Sequence, residues 1–168
     1  IKSVVKEVQV LAEAGYKEVQ LLGQNVNSYR EEGTGATFED LLDAAHLVEG
    51  ISRIRFTSPH PKDFGDPLIA RYRDLPKLCP HMHLPAQSGS TDILARMNRG
   101  YSREEFISKV ELARASVPDI AFTTDLIVGF PGESQRDFDD TLSLIQEVGF
   151  DGIYSFKYSE RPYTFAER

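Results

Sequence analysis

Thr124-Asp125-Leu126-Ile127-Val128-Gly129-Phe130-Pro131-Gly132-Glu133 is the stretch that decides the fold. Its apolar run is long enough for one buried strand; Gly129 cuts it and Pro131-Gly132 turns the chain. Ser134-Gln135-Arg136-Asp137 then reads as a capping-box variant at the start of an amphipathic helix. Phe138, Thr141, Leu142, Ile145 and Val148 mark its inward face, and Gly149 ends it. Strand, turn and helix in that order make half of a βαβ unit. Ligands of such units sit at the carboxyl ends of the strands. Glu133 and the free N–H groups of the helix are therefore expected to face one ligand space.

The same alternation extends toward the amino terminus. Ile120–Val128 is the central strand, preceded by a helix that Ser102-x-x-Glu105 caps and Pro118 stops. A brief helix with Ile93, Leu94 and Met97 lies before that, after a strand over His81–Leu84. Asp66-Pro67 is a helix start, read as N-cap and N1. Arg53–Thr57 is a strand with Ile54 and Phe56 on one face, and Thr37-x-x-Asp40 opens a helix facing inward through Phe38, Leu41, Leu42, Ala45 and Val48. Residues 3–14 form the first helix and Lys17–Leu22 the first strand. In the other direction Gly152–Tyr158 is a last strand, in which Ile153, Tyr154, Phe156 and Tyr158 crowd together.

The order α-βα-βα-βα-βα-β without hairpin signals predicts an α/β fold with a parallel sheet. Periodicity does not separate an open doubly wound sheet from part of a (βα) barrel. A βα unit opens on its strand, so a chain that opens on a helix is expected to lack one strand at its front.

Composition excludes several classes. At 168 residues the chain suits one domain. No apolar run is long enough to cross a bilayer. The net charge of −7 makes the chain as a whole a poor polyanion binder, so contact with RNA is left to a local patch or another domain. Cys79 is the single cysteine; it excludes a disulfide framework and sits beside Pro80 as an inert thiol.

The loops after the strands gather the polar residues: Gln24, Asn25 and Asn27; Ser58, His60 and Lys62; Gln87 and Ser88; Glu133; Ser159, Glu160 and Arg161. In a parallel α/β fold these loops share one face, where a small molecule would bind. Gln24-Asn25 equally reads as a pair of turn formers. His81 and His83 are expected to pack and hydrogen-bond, with no third metal ligand at a suitable spacing. Arg96, Arg99 and Arg103 read either as a solvated basic face or as an anion clamp. No hydrolytic triad, Walker A loop or dinucleotide fingerprint is present.

Five segments, in order, carry a resemblance: LLGQNVNSY (Leu21–Tyr29), RIRFTSPHPKDF (Arg53–Phe64), HLPAQSGS with ILARMNRGYSREEF (His83–Phe106), DLIVGFPGES (Asp125–Ser134) and YSFKYSERP (Tyr154–Pro162). Together they resemble the radical S-adenosylmethionine methylthiotransferases. The GQNVNSY loop looks like the branch acting on N6-isopentenyladenosine at position 37 of tRNA, the tRNA-2-methylthio-N6-dimethylallyladenosine synthases. RFTSPHPKDF and MNRGYSRE are most similar to animal mitochondrial members, one of them first described as a kinase-activator-binding protein.

The resemblance implies a partial (βα) TIM-like barrel of the radical SAM core over residues 1–168. It implies S-adenosylmethionine and [4Fe-4S] clusters as cofactors and tRNA as partner, with no membrane. The compartment would be mitochondrial or cytoplasmic. Gln24 and Asn25 would meet the methionine amino group, Gln87 and Ser88 the ribose, and Arg99 the carboxylate. Asp125 and the Ile127-Val128-Gly129 backbone would line the ribose and adenine pocket. The family holds its clusters through cysteines, and Cys79 matches none of them. The expectation is an internal fragment that starts after the cluster loop, lacks the C-terminal TRAM domain and is inactive alone. The alternative is a non-catalytic interaction module for a partner such as a kinase activator.

Overall fold

A computed structural model describes residues 1–57 and 59–160. At its centre is strand β4 (Ala121–Val128), which buries Phe122, Thr124 and Leu126 on one face. Strand β3 (His81–His83) pairs with one edge of β4 and β5 (Gly152–Lys157) with the other, both parallel. Strands β1 (Glu18–Leu21) and β2 (Arg53–Phe56) form a second parallel pair. Ile54 of β2 bonds on both sides to the run before β3, donating to Lys77 O and accepting from Cys79 N–H. The strands therefore follow one another in chain order. That is the winding of a (βα) barrel; a doubly wound sheet reverses direction at its switch point. Register thus decides what periodicity left open.

Among the described residues, six α-helices flank the strands: α1 (Lys2–Glu13), α2 (Phe38–His46), α3 (Asp66–Asp74), α4 (Thr91–Arg96), α5 (Arg103–Ser116) and α6 (Gln135–Val148). They bury the apolar face of the sheet: Val19, Leu21, Ile54, Phe56, Met82, Leu84, Phe122 and Leu126 share one core with Val8, Leu42, Leu68, Phe106, Val110 and Leu144. The opposite face of the sheet carries Glu18, Arg53, Arg55, His81, His83, Thr123 and Asp125, none of them fully buried. It is the concave inner wall of the partial barrel.

Thr37, Ser102 and Ser134 each form a complete capping box, with Asp40, Glu105 and Asp137. Gly149 ends α6 in the left-handed region at φ 59°. Three details differ from the sequence expectation. Gly65, not Asp66, is the N-cap of α3. Leu144 takes the inward place expected of Leu142, which is 43% exposed. The aromatic side chains of β5 do not crowd into a core: Tyr154 and Phe156 are 59% and 53% exposed.

Asp137 couples this packing to pH. The Ser134 hydroxyl, then the Ser90 hydroxyl, then the Ser134 N–H hold its carboxyl down at about 2. An unfolded Asp titrates near ~3.9. The folded value is the lower one, so this contribution is complete above about pH 4 and is lost as pH falls toward 2. The acid limb of a stability profile between those values should be shallower for Asp137→Asn than for the wild type. An identical limb, measured by thermal unfolding across that range, would contradict the assignment.

Candidate functional site

The exit loops of β1 and β2 are clasped by one side chain. Asn27 accepts from His60 N–H through Oδ1 at 2.8 Å and donates to His60 O through Nδ2 at 3.0 Å. Asn25 adds a bond from Nδ2 to Asp63 Oδ2 at 2.9 Å, while Gln24 is exposed. Pro59 and Pro61 are buried, which stiffens the second loop, and Lys109 of α5 donates to Pro61 O at 2.6 Å and Lys62 O at 3.1 Å. The His60 ring stands edge-on to Tyr101 at 5.8 Å. Burial, followed by the Arg99 guanidinium, lowers its pKa, so His60 is neutral at pH 7. Ser58 and Arg161, two of the expected rim residues, lie outside the described residues.

After β3, Gln87 takes a left-handed conformation at φ 68°, an uncommon one for a residue with a side chain. Its N–H donates to Asp125 O and its carbonyl accepts from Ile127 N–H, each at 2.8 Å. The conformation therefore stitches the third exit loop to β4. Tyr101 donates to Pro85 O and Ala86 O on the same loop, and burial pushes its phenol up to about 12. In the fourth loop Glu133 turns back on its own turn: Oε2 accepts from Gly129 N–H and Phe130 N–H.

Several expected contacts are already occupied. Ser88 is 1% exposed, with its hydroxyl against Thr141 Oγ1 of α6 at 3.3 Å, and it accepts from Ser90 N–H. It has no side-chain atom left for a ribose. Ile127 N–H, Val128 O and Gly129 N–H are bonded to Gln87, Tyr158 and Glu133, so this backbone offers mainly its surface. The anion clamp is likewise dismantled. Arg96 ties to Pro131 O and Gly132 O. Arg103 ties to Gly89 O, Asp140 O, Ser143 Oγ and Glu147. Only Arg99 is left over.

What remains is a pattern of unmet hydrogen bonds. Among the described residues, four buried side-chain polar atoms lack a partner: Asn25 Oδ1, His46 Nδ1, Arg99 Nε and Glu133 Oε1. Asn25 and Glu133 lie in the exit segments of β1 and β4, and Arg99 in the turn between α4 and α5. An orphaned buried polar group costs about 1–3 kcal/mol, and folded proteins leave few of them. One donor and two acceptors of this kind suit a ligand carrying both a carboxylate and an ammonium group. Two hollows flank the β1 exit loop. One of about 450 Å³ is walled by Val8, Val19, Leu21, Asn25, Val26 and Phe38. The other, about 620 Å³, is lined by Asn27, Arg30, Asp40, Lys62 and Asp63. The first reaches Asn25, but neither reaches Arg99, Asp125 or Glu133.

The family model described as the Radical SAM superfamily matches residues 1–145. The chain belongs to the radical SAM superfamily. It is 52% identical to the tRNA-2-methylthio-N(6)-dimethylallyladenosine synthase of Caldicellulosiruptor saccharolyticus, over 98% of this chain and 35% of that protein. It is 53% identical to the protein of that name in Geotalea uraniireducens, over 97% of this chain and 37% of that one. The chain thus spans about a third of the length of these curated relatives. Streptococcus suis SuiB, solved free and bound to S-adenosylmethionine, matches with a TM-score of 0.62 and 12% identity, over 96% of this chain and 34% of SuiB. That likeness shows the fold, a radical SAM α/β core.

The superfamily implies S-adenosylmethionine and an iron–sulfur cluster. The orphaned donor and acceptors fit the amino-acid end of the first. The second does not fit the residues present. Cys79 is buried at the strand-entry end, away from the exit loops, and no group of three His, Cys, Asp or Glu among the described residues could hold a metal ion. Nor is any helix among them long and apolar enough to cross a membrane. Glu133 was legible as a rim residue from its place after the Gly129-Phe130-Pro131-Gly132 turn. Its orphaned acceptor was not, because that depends on which N–H groups its other oxygen finds.

Proposed function

We propose that this segment is the S-adenosylmethionine-binding part of a tRNA methylthiotransferase that installs a methylthio group on C2 of N6-isopentenyladenosine at position 37. The observation that carries the reading is the orphaned set of Asn25 Oδ1, Arg99 Nε and Glu133 Oε1. The similarity to curated synthases along nearly the whole chain supports the substrate branch.

S-adenosylmethionine held here would supply the radical chemistry that activates the base. The chain's own residues do the holding. Arg99 Nε–H donates to the methionine carboxylate, a charge-assisted bond to a planar donor. Asn25 Oδ1 accepts from the ammonium, with Gln24 beside it at the surface. Gln87, its backbone held by two bonds to β4, is the residue offered to the ribose. Asp125, Ile127, Val128 and Gly129 wall the nucleoside. Nothing among the described residues favours the interaction-module alternative.

The test is the full-length protein, reconstituted and given S-adenosylmethionine, a reductant and isopentenylated tRNA. Nucleoside mass spectrometry should show the methylthio product. Modification of threonylcarbamoyladenosine instead would overturn the substrate, and failure to bind S-adenosylmethionine would overturn the reading. Residues 1–168 alone should bring about no turnover.

A further inference from the structure

Two of the orphaned atoms belong to segments far apart in the chain: Arg99 Nε in the turn between α4 and α5, and Glu133 Oε1 after the β4 exit turn. A donor and an acceptor serve one ligand only when their spacing is held. The Arg99 turn rides on α4, because Arg99 N–H donates to Leu94 O at 3.0 Å and Met97 N–H to Ile93 O at 2.8 Å. At its start α4 is fastened to α6, where Ser90 Oγ donates to Asp137 Oδ1 at 2.6 Å. At its last residue, Arg96 reaches across to the β4 exit turn. Nη1 donates to Gly132 O at 3.0 Å and Nη2 to Pro131 O.

The turn leaves room for that guanidinium only because residue 132 has no side chain. Gly132 stands at φ 75°, and a Cβ there would lie 2.7 Å from Arg96 Nη1 and 2.8 Å from its Cζ. Two N–H groups of one rigid fork, set on successive carbonyls, fix both the distance and the angle of the turn; a single ammonium would fix only a distance. The next residue is Glu133, whose Oε2 is spent on Gly129 N–H and Phe130 N–H while Oε1 stays free. Arg96 thus stands three residues before the unspent donor and grips the residue just before the unspent acceptor.

We propose that Arg96 is a positioning residue: by latching α4 to the β4 exit turn, it sets the spacing of Arg99 and Glu133 for S-adenosylmethionine. This rests on the function proposed above and adds to it a residue that itself touches no ligand. Arg114 supplies the comparison. It makes the same kind of contact at the end of α6, donating through Nη1 to Val148 O and through Nη2 to Gly149 O at 3.0 Å.

The experiment uses the full-length protein with its clusters reconstituted, as Arg96→Ala, Glu133→Gln, the two combined, and Arg114→Ala. Affinity for S-adenosylmethionine is read by isothermal titration beside thermal unfolding. Arg96→Ala should weaken binding about tenfold, as expected for one misplaced hydrogen bond between charged groups. Its melting temperature should barely move, because Arg96 is exposed. Glu133→Gln keeps an oxygen for the two N–H groups and replaces the free acceptor by a donor. In that background Arg96→Ala should cost less than about twofold, since the atom it acts through is gone. Arg114→Ala should melt lower and bind as the wild type does. The latch is overturned if Arg96→Ala binds normally, or if the losses from Arg96→Ala and Glu133→Gln multiply in the combined variant. It is also overturned if Arg114→Ala weakens binding as much as Arg96→Ala, which marks a merely structural role. A wild type that does not bind S-adenosylmethionine overturns the functional reading, and the latch with it.

Discussion

Gly89→Ala is expected to destabilise the fold by at least about 3 kcal/mol, the upper part of the overpacking range. A Cβ at this position would sit 2.4 Å from Asp140 O and 2.5 Å from Thr141 Cα. Those are backbone atoms of α6, so no side-chain rotation relieves the contact. Retreat of α6 would also break the Gly89 N–H bond to Thr141 Oγ1 at 2.9 Å and disturb Leu144, which is fully buried. For a chain of this size the melting temperature should fall by roughly 6–12 °C. Gly65→Ala is the control, because nothing lies within 4 Å of its added Cβ. Equal melting of the two variants would show that α6 does not press on this loop as described.

The second large effect is on binding. In the full-length protein, Arg99→Ala should weaken S-adenosylmethionine about ten- to hundredfold, which corresponds to the loss of one hydrogen bond between charged groups. The orphaned Nε is the reason: its hydrogen-bonding capacity is not spent inside the protein. Arg103→Ala should do the opposite. Its guanidinium joins α5 to Gly89 O, Asp140 O, Ser143 and Glu147, so melting should fall while cofactor affinity holds. Isothermal titration beside thermal unfolding separates the two. Unchanged affinity in Arg99→Ala would remove its proposed role.

The contrast between these two arginines marks how far sequence reading reaches. Both stand in one short basic cluster, and spacing offered a clamp or a solvated face for the whole of it. The structure gives neither answer. Arg103 finds partners up to 44 positions away on α6, and Arg96 finds Pro131 and Gly132 on the β4 exit turn. Ser88 reads as an exposed loop hydroxyl, but Thr141 of α6, 53 positions later, takes it inside. His81 and His83 are expected to hydrogen-bond, and the shared partner they find, Thr123 Oγ1 on the neighbouring strand, is invisible along the chain.

What the sequence determined by itself was local. Alternation placed the strands, Thr37, Ser102 and Ser134 with their acidic partners started three helices, and Gly149 stopped the last. Five ordered motifs gave the family. These signals work because capping and side-chain period are set within a few residues. The tertiary structure alone decided that the strands wind in chain order as in a barrel, and which polar atoms are left unspent for a ligand. Both are questions of pairing between distant segments. A donor is available only after every nearer acceptor in space has been counted.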